Sequence, residues 1–231
     1  MQINQDYVLI LGSKPNSKFP KFKVKKIFSA NGAAARVKDY LKIYPNTIFE
    51  AIVGSREFEK NLEVQEREIE SKPSKIIARS GFVNFDNYNF GNIEKFHFSS
   101  NKQLDFQSKF FKFGKLGVIF CESYYEKKIF KKIMHILLSF KKGIIGGAST
   151  GLFAILYALY ENKDSKIIVS GIGMSGGGHF YKEDTNKYSN RSNVDKKLMQ
   201  IIKNRYKDRI FTLDKELEKN SKIKHLQVET F

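Results

Sequence analysis

Apolar positions along the chain come in short continuous runs separated by turn-forming residues and by charged, helix-period segments. The first run, YVLILG (7–12), ends in glycine and is followed by SKPNSKFP, with Pro15 and Asn16. That layout predicts a buried strand feeding a loop. KKIFSANGAAARVKDYLKIYP predicts a strand over Lys26–Ser29, a break at Asn31-Gly32, and a helix from Ala33 to Ile43 stopped by Pro45. TIFEAIV (47–53) predicts a third strand, Gly54-Ser55 the start of a charged helix through REFEKNLEVQEREIE, and KIIAR (75–79) a fourth strand.

From Ser80 to Lys112 the chain turns polar and aromatic without a clear period, so residues 81–112 are expected to form an irregular excursion. Order returns with LGVIF (116–120) and a helix over 124–139. Ser149-Thr150-Gly151 then opens a helix that is apolar almost all round, Lys163-Asp164 closes it, and residues 167–170 form an apolar strand. Such a helix belongs deep against a sheet. NVDKKLMQIIKNRY predicts an amphipathic helix with Asp195 in its first turn, and RIFTL a last short strand. The alternation predicts an α/β fold: one Rossmann-like, mostly parallel open sheet flanked by helices, a single domain over residues 1–231. No internal repeat or low-complexity linker stands out, and the tail KNSKIKHLQVETF has the composition of an amphipathic attachment to a membrane or partner.

Composition narrows the setting. With 231 residues the chain is long enough for one α/β domain and short for two, and its 41% hydrophobic content is ordinary for a folded protein. No window approaches the roughly 18 to 20 apolar residues of a membrane span, and no signal-peptide layout precedes the first strand, so a cytoplasmic chain is expected. The single cysteine, Cys121, cannot form an internal disulfide and reads as core filler. The formal charge of +17 implies attraction to nucleic acid, a membrane surface or an acidic small substrate, although abundant Lys, Asn, Ile and Phe also fit a biased genome.

Ligands of an open parallel sheet bind at the carboxyl ends of the strands, near helix N-termini. Five predicted loops share that edge: Gly12 to Asn16, Ala30 to Gly32, Gly54-Ser55, Ser149 to Gly151, and Gly171 to Tyr181. The loop after the first strand, GSKPNS, is not G-x-G-x-x-G, and no G-x-x-x-x-G-K-[ST] occurs, which disfavours a dinucleotide dehydrogenase and a P-loop enzyme. Without Asp-x-Asp or a zinc-spaced Cys/His set, a metal-free reaction is expected.

Taken in order, GSKPN after the first strand, SANGA after the second, STG opening the buried helix and SGI ending the next strand resemble the small bacterial sialyltransferases. These are CMP-sugar-dependent enzymes with Kdo-transferase-like relatives, and the resemblance runs from about residue 7 to residue 213. It implies a sialyltransferase-type variant of the GT-A fold and a CMP-activated keto-sugar donor (sialic acid, a related nonulosonic acid or Kdo). It also implies a bacterial surface glycan or glycolipid acceptor, no metal and no further cofactor. By the same resemblance, Gly12, Ser13 and Asn16 lie near phosphate and ribose, and Asn31 near the nucleotide or donor sugar. Ser149, Thr150 and Gly151 would meet the donor carboxylate or ribose, and Gly171 and Ile172 the cytosine and ribose. Asn31 and Ser149-Thr150 fit helix starts equally well.

The implied reaction is an inverting single displacement, with a histidine as the natural base. The family's histidine position, after Arg191-Ser192, holds Asn193, which cannot take a proton at neutral pH. The histidine of the loop expected over 173–193 is His179, preceded by three glycines. A glycine run suits a loop that closes on a ligand. His179 is therefore the candidate base, with Asp184 or Asp195 as the alternative, and Tyr181, Tyr188 and Arg191 as candidate phosphate contacts. His97, His135 and His225 fall in the excursion, a helix and the tail. The positive charge would hold such an enzyme peripherally at the inner face of an anionic membrane. Nucleic acid is not expected as a partner, but the basic, Phe-rich FQSKFFKFGK keeps a nucleic-acid-binding module open, beside another nucleotide-dependent transferase on the same sheet.

Overall fold

The computed structural model describes residues 6–15, 17–123, 128–143, 148–173 and 191–231, with backbone alone at Glu122 and residues 191–194. Eight strands, β1 (Tyr7–Leu11), β2 (Lys26–Ala30), β3 (Ile48–Gly54), β4 (Lys75–Arg79), β5 (Glu94–Phe98), β6 (Lys166–Ser170), β7 (Ile210–Thr212) and β8 (Lys224–His225), form one sheet. Its order is β5-β4-β3-β2-β1-β6-β7-β8, and every neighbouring pair is parallel. Nine helices accompany them: α1 (Ala34–Ile43), α2 (Ser55–Lys60), α3 (Leu62–Ser71), α4 (Ser100–Ser108), α5 (Gly114–Ser123), α6 (Ile129–Lys142), α7 (Thr150–Glu161), α8 (Arg191–Tyr206) and α9 (Lys215–Ser221) among the described residues. The fold is Rossmann-like α/β.

The central strands are continuous apolar runs because both faces of a parallel sheet are covered. Val8, Ile10, Phe28, Ile52, Ile167 and Val169 point into one core layer, filled by α7 with Phe153, Ile155 and Leu156 and by α8 with Leu198, Met199 and Ile202. Their neighbours Leu9, Leu11, Ile27, Val53, Ile76 and Ile168 point into the other, against Val37 and Tyr40 of α1, Phe58 of α2 and Val64 of α3. The apolar helix α7 lies against the sheet, as its composition predicts.

From β1 the chain steps outward to β5 and then returns on the other side of β1 at β6. The order therefore reverses between β1 and β6. The loops leaving the carboxyl ends of those two strands flank the crevice where ligands of such sheets bind.

Several elements differ from their sequence expectation. Residues 81–112 are not an irregular excursion: they contain a 3-10 turn (Phe85–Asn87), the edge strand β5 and helix α4. An edge strand covered on one side carries no apolar run, so EKFHF escapes a search for one. Its His97 ring nitrogen lies 2.7 Å from the Val83 carbonyl oxygen. The charged helix after Gly54 breaks at Asn61, whose extended backbone and side-chain bond from the Val64 amide (3.4 Å) start a new helix. LGVIF lies within α5, and α6 runs on to Lys142. Residues 191–193, expected in the loop, already belong to α8, while residues 174–190 lie outside the described residues.

The tail is docked rather than free. β8 extends the sheet, Thr230 bridges antiparallel to Pro20, and Phe19 and Phe231 exchange backbone hydrogen bonds of 2.9 and 3.0 Å. The Phe231 ring stacks on Phe19 and Tyr40. Among the described residues no helix is long and apolar enough to cross a membrane.

Candidate functional site

At the reversal point the loops after β1 and β6 are in backbone contact. The Gly12 amide donates to the Ser170 carbonyl at 2.7 Å and the Lys14 amide to the Gly171 carbonyl at 3.0 Å. A Cβ on Gly12 would stand 2.2 Å from the Gly171 oxygen, and Gly171 has φ +73° with Ser17 Cβ 2.5 Å from where its own Cβ would be. Neither position admits a side chain, so glycine at both is what allows the loops to meet. Ser13 is buried beside them.

Asp214, just past β7, supports this turn from beneath. Its Oδ2 accepts from the Gly171 amide at 2.7 Å, and Oδ1 lies 3.5 Å from Ser170 Oγ, which accepts from the Lys18 amide at 2.7 Å. Burial raises the Asp214 carboxyl above its ordinary value, and the Gly171 N–H, Lys14, Lys18 and Ser170 pull against that shift without cancelling it. Lys14 also reaches Glu216 Oε2 at 2.5 Å and lies across Gly173.

A second group gathers at the ends of β2, β3 and β4 against the N-terminus of α7. Asn31 sits at φ +51°, a left-handed conformation that asparagine tolerates, and its Oδ1 accepts from the Gly54 amide at 3.0 Å. Arg79 is 4% exposed. Its Nε donates to Thr150 Oγ1 at 3.0 Å and its Nη1 to Ser80 Oγ at 2.9 Å. Ser80 Oγ in turn donates to Gln103 Oε1 at 2.6 Å. A Cβ on Gly54 would stand 3.2 Å from Thr150 Oγ1, so the loop after β3 passes directly beside α7.

The three residues that open α7 each have a distinct partner. Ser149 Oγ accepts from the Leu152 amide at 3.2 Å as an N-cap, and the Ser149 amide donates to Asp195 Oδ1 at 2.9 Å. Thr150 receives Arg79. Gly151 lets Ile172 approach, since a Cβ there would lie 3.1 Å from the Ile172 side chain. Ile172 thus joins the two groups, with its side chain buried on Gly151.

The structure therefore brings together Gly12, Ser13, Gly171, Ile172, Ser149, Thr150 and Gly151, with Asn31 tied in through Gly54. Asn16, His179, Tyr181 and Asp184 lie outside the described residues, and Arg191 opens α8 with only its backbone described. Sequence reasoning missed Arg79 and Asp214. Both are polar residues at the carboxyl end of a predicted apolar strand, a position that could have singled them out. The edge carries a buried guanidinium beside a helix N-terminus, groups of the kind that bind phosphate or carboxylate, while Lys14 and Lys18 at the neighbouring turn face Asp214 and Glu216. No family model matches the chain, and no curated protein or solved structure is significantly similar to it.

Proposed function

We propose that the chain is a metal-independent glycosyltransferase that moves a keto-sugar, sialic acid or a related nonulosonic acid or Kdo, from a CMP-activated donor to a glycan or glycolipid acceptor. The observation that carries this reading is the convergence of GSKP, SANG, STG and SGI on one sheet edge, with GSKP and SGI flanking the point where strand order reverses. In the reaction the acceptor oxygen attacks the anomeric carbon, the bond from that carbon to the phosphate oxygen breaks, and CMP departs. His179 takes the acceptor proton. Arg79, the α7 N-terminus, Tyr181 and Arg191 balance the charge on the leaving phosphate, and Asp184 is the alternative base.

A nucleic-acid module receives less support. In FQSKFFKFGK, Phe106 and Phe110 are packed in the core against Phe153 and Tyr206, which leaves Phe113 as the strongly exposed ring of the segment and reduces the aromatic platform that such binding uses.

A thermal-shift comparison of CMP, CDP, UDP, GDP and NAD tests the proposal. Stabilisation by the cytidine nucleotides is expected, and its absence would sink the reading. His179→Ala should keep CMP stabilisation and lose sugar transfer, and chelation by EDTA should leave transfer unchanged. Full activity in that variant removes the base assignment.

A further inference from the structure

Helix α6 is built inside out. Its buried residue is Ser139, while Ile129, Phe130, Ile133, Met134, Leu137 and Phe140 are all between 40% and 77% exposed. At about 100° per residue these six fall within an arc of about 140°, on the side of the helix away from Ser139. The same helix carries Lys131, Lys132, Lys141 and Lys142 and no carboxylate. Beside it, Phe113, Leu116 and Phe120 on and before α5 are also exposed, and they line a groove of about 900 Å³ with Ile201, Lys112 and Lys197.

An apolar stripe of this extent is unfavourable in water and marks a contact surface. Its charge chooses among occupants. A two-fold contact with a second copy would bury Lys141, which lies within that arc, and would bring together two chains that each already carry +17. An anionic lipid surface meets both halves of the pattern: lysines at the headgroups, and Phe, Ile and Leu in the upper acyl region. Helix α6 has 14 residues, about 21 Å, so it lies in the interface and does not span it.

We propose that the exposed apolar face of α6 docks the protein on an anionic phospholipid bilayer, with α6 parallel to the membrane plane. This assignment stands on the exposed face and is independent of the donor the sheet edge binds.

Vesicle flotation tests it, using phosphatidylcholine alone against phosphatidylcholine with roughly one third phosphatidylglycerol. The full chain should float with the anionic vesicles at low salt, and not with the neutral ones. A triple variant, Phe130→Ser, Leu137→Ser and Phe140→Ser, changes exposed residues alone and should keep its far-UV spectrum and melting temperature. Its retention should fall roughly tenfold. Replacing Lys131, Lys141 and Lys142 by Gln should weaken retention in the same direction. No flotation of the wild type overturns the proposal, as does binding that the triple serine variant leaves unchanged. Light scattering that shows a dimer which the triple variant dissolves would assign the face to self-association instead.

Discussion

The Gly171 amide donates a 2.7 Å hydrogen bond to Oδ2 of Asp214, joining the turn at the strand-order reversal to the end of the adjacent strand. Burial raises the Asp214 carboxyl in the folded state, so the native protein holds this proton more tightly than the unfolded chain does. Between the ordinary carboxylate value of 3.8 and the raised folded value, the unfolded state binds fewer protons, and stability falls as pH rises. Asp214→Asn, which keeps an acceptor for Gly171, should flatten that part of the stability curve, measured by urea titration across acidic to neutral pH. Asp214→Ala, which strands the Gly171 N–H, should cost about 1–3 kcal/mol, with the larger cost in acid, where the wild type keeps the full contribution of Asp214.

Glu68 presents the same sign more simply. It lies on α3, fully buried, both carboxyl oxygens lack a hydrogen-bond partner among the described residues, and desolvation raises its carboxyl well above the ordinary 4.5. The stability it permits below that value is lost as pH rises through its folded value. Glu68→Met, of similar reach, should stabilise the protein by about 1–3 kcal/mol at neutral pH and by less in acid. Because the chain has no Trp, far-UV circular dichroism is the convenient probe. Equal gains at both pH values would show that the acid does not titrate on folding.

Much of this architecture is legible in the sequence because a doubly covered parallel strand must be apolar on both faces. YVLIL, KIIAR and KIIVS announce themselves, and the glycines that end the first and last mark the loops of the crevice. What escaped obeys another rule. EKFHF is half solvated, so its period is broken by Glu94, Lys95 and His97 and its place in the sheet comes from pairing with β4. Asn61 reads as a helix interior residue until its side chain is seen capping α3. Arg79 reads as the polar end of a strand, because its role arises from Thr150, 71 positions away in sequence. In α6 an amphipathic pattern gives the helix but not which side faces the core, and here the apolar side faces out.

Gly12→Ala isolates the loop contact. The new methyl would meet the Gly171 oxygen and carbon and the Ile172 side chain at 2.2 to 2.7 Å, of which two are backbone atoms. Either the two loops part or β1 shifts against β6. A loss of about 1–3 kcal/mol is expected by urea denaturation, together with loss of CMP stabilisation. Gly91→Ala, with φ +67° but nothing within 4 Å, carries backbone strain without the clash and serves as the control, with CMP stabilisation intact.

The Arg79–Thr150 bond separates support from ligand recognition. Thr150→Val removes the hydroxyl that accepts from Arg79 Nε and should cost about 1.5–3 kcal/mol of stability, whereas Thr150→Ser keeps the oxygen and should cost far less. Arg79→Met removes the same bond and the charge beside the α7 N-terminus. If the guanidinium serves stability alone, a double-mutant cycle should account for the coupling, and CMP should raise the melting temperature of every folded variant. The proposed phosphate site requires more: Thr150→Val keeps most of the CMP shift, and Arg79→Met loses it. Arg79→Lys is the decisive comparison, since an ammonium restores the charge without the fork that reaches Thr150 and Ser80 together. Recovery of CMP stabilisation in that variant with stability still reduced would assign the charge to the ligand and the fork to the fold.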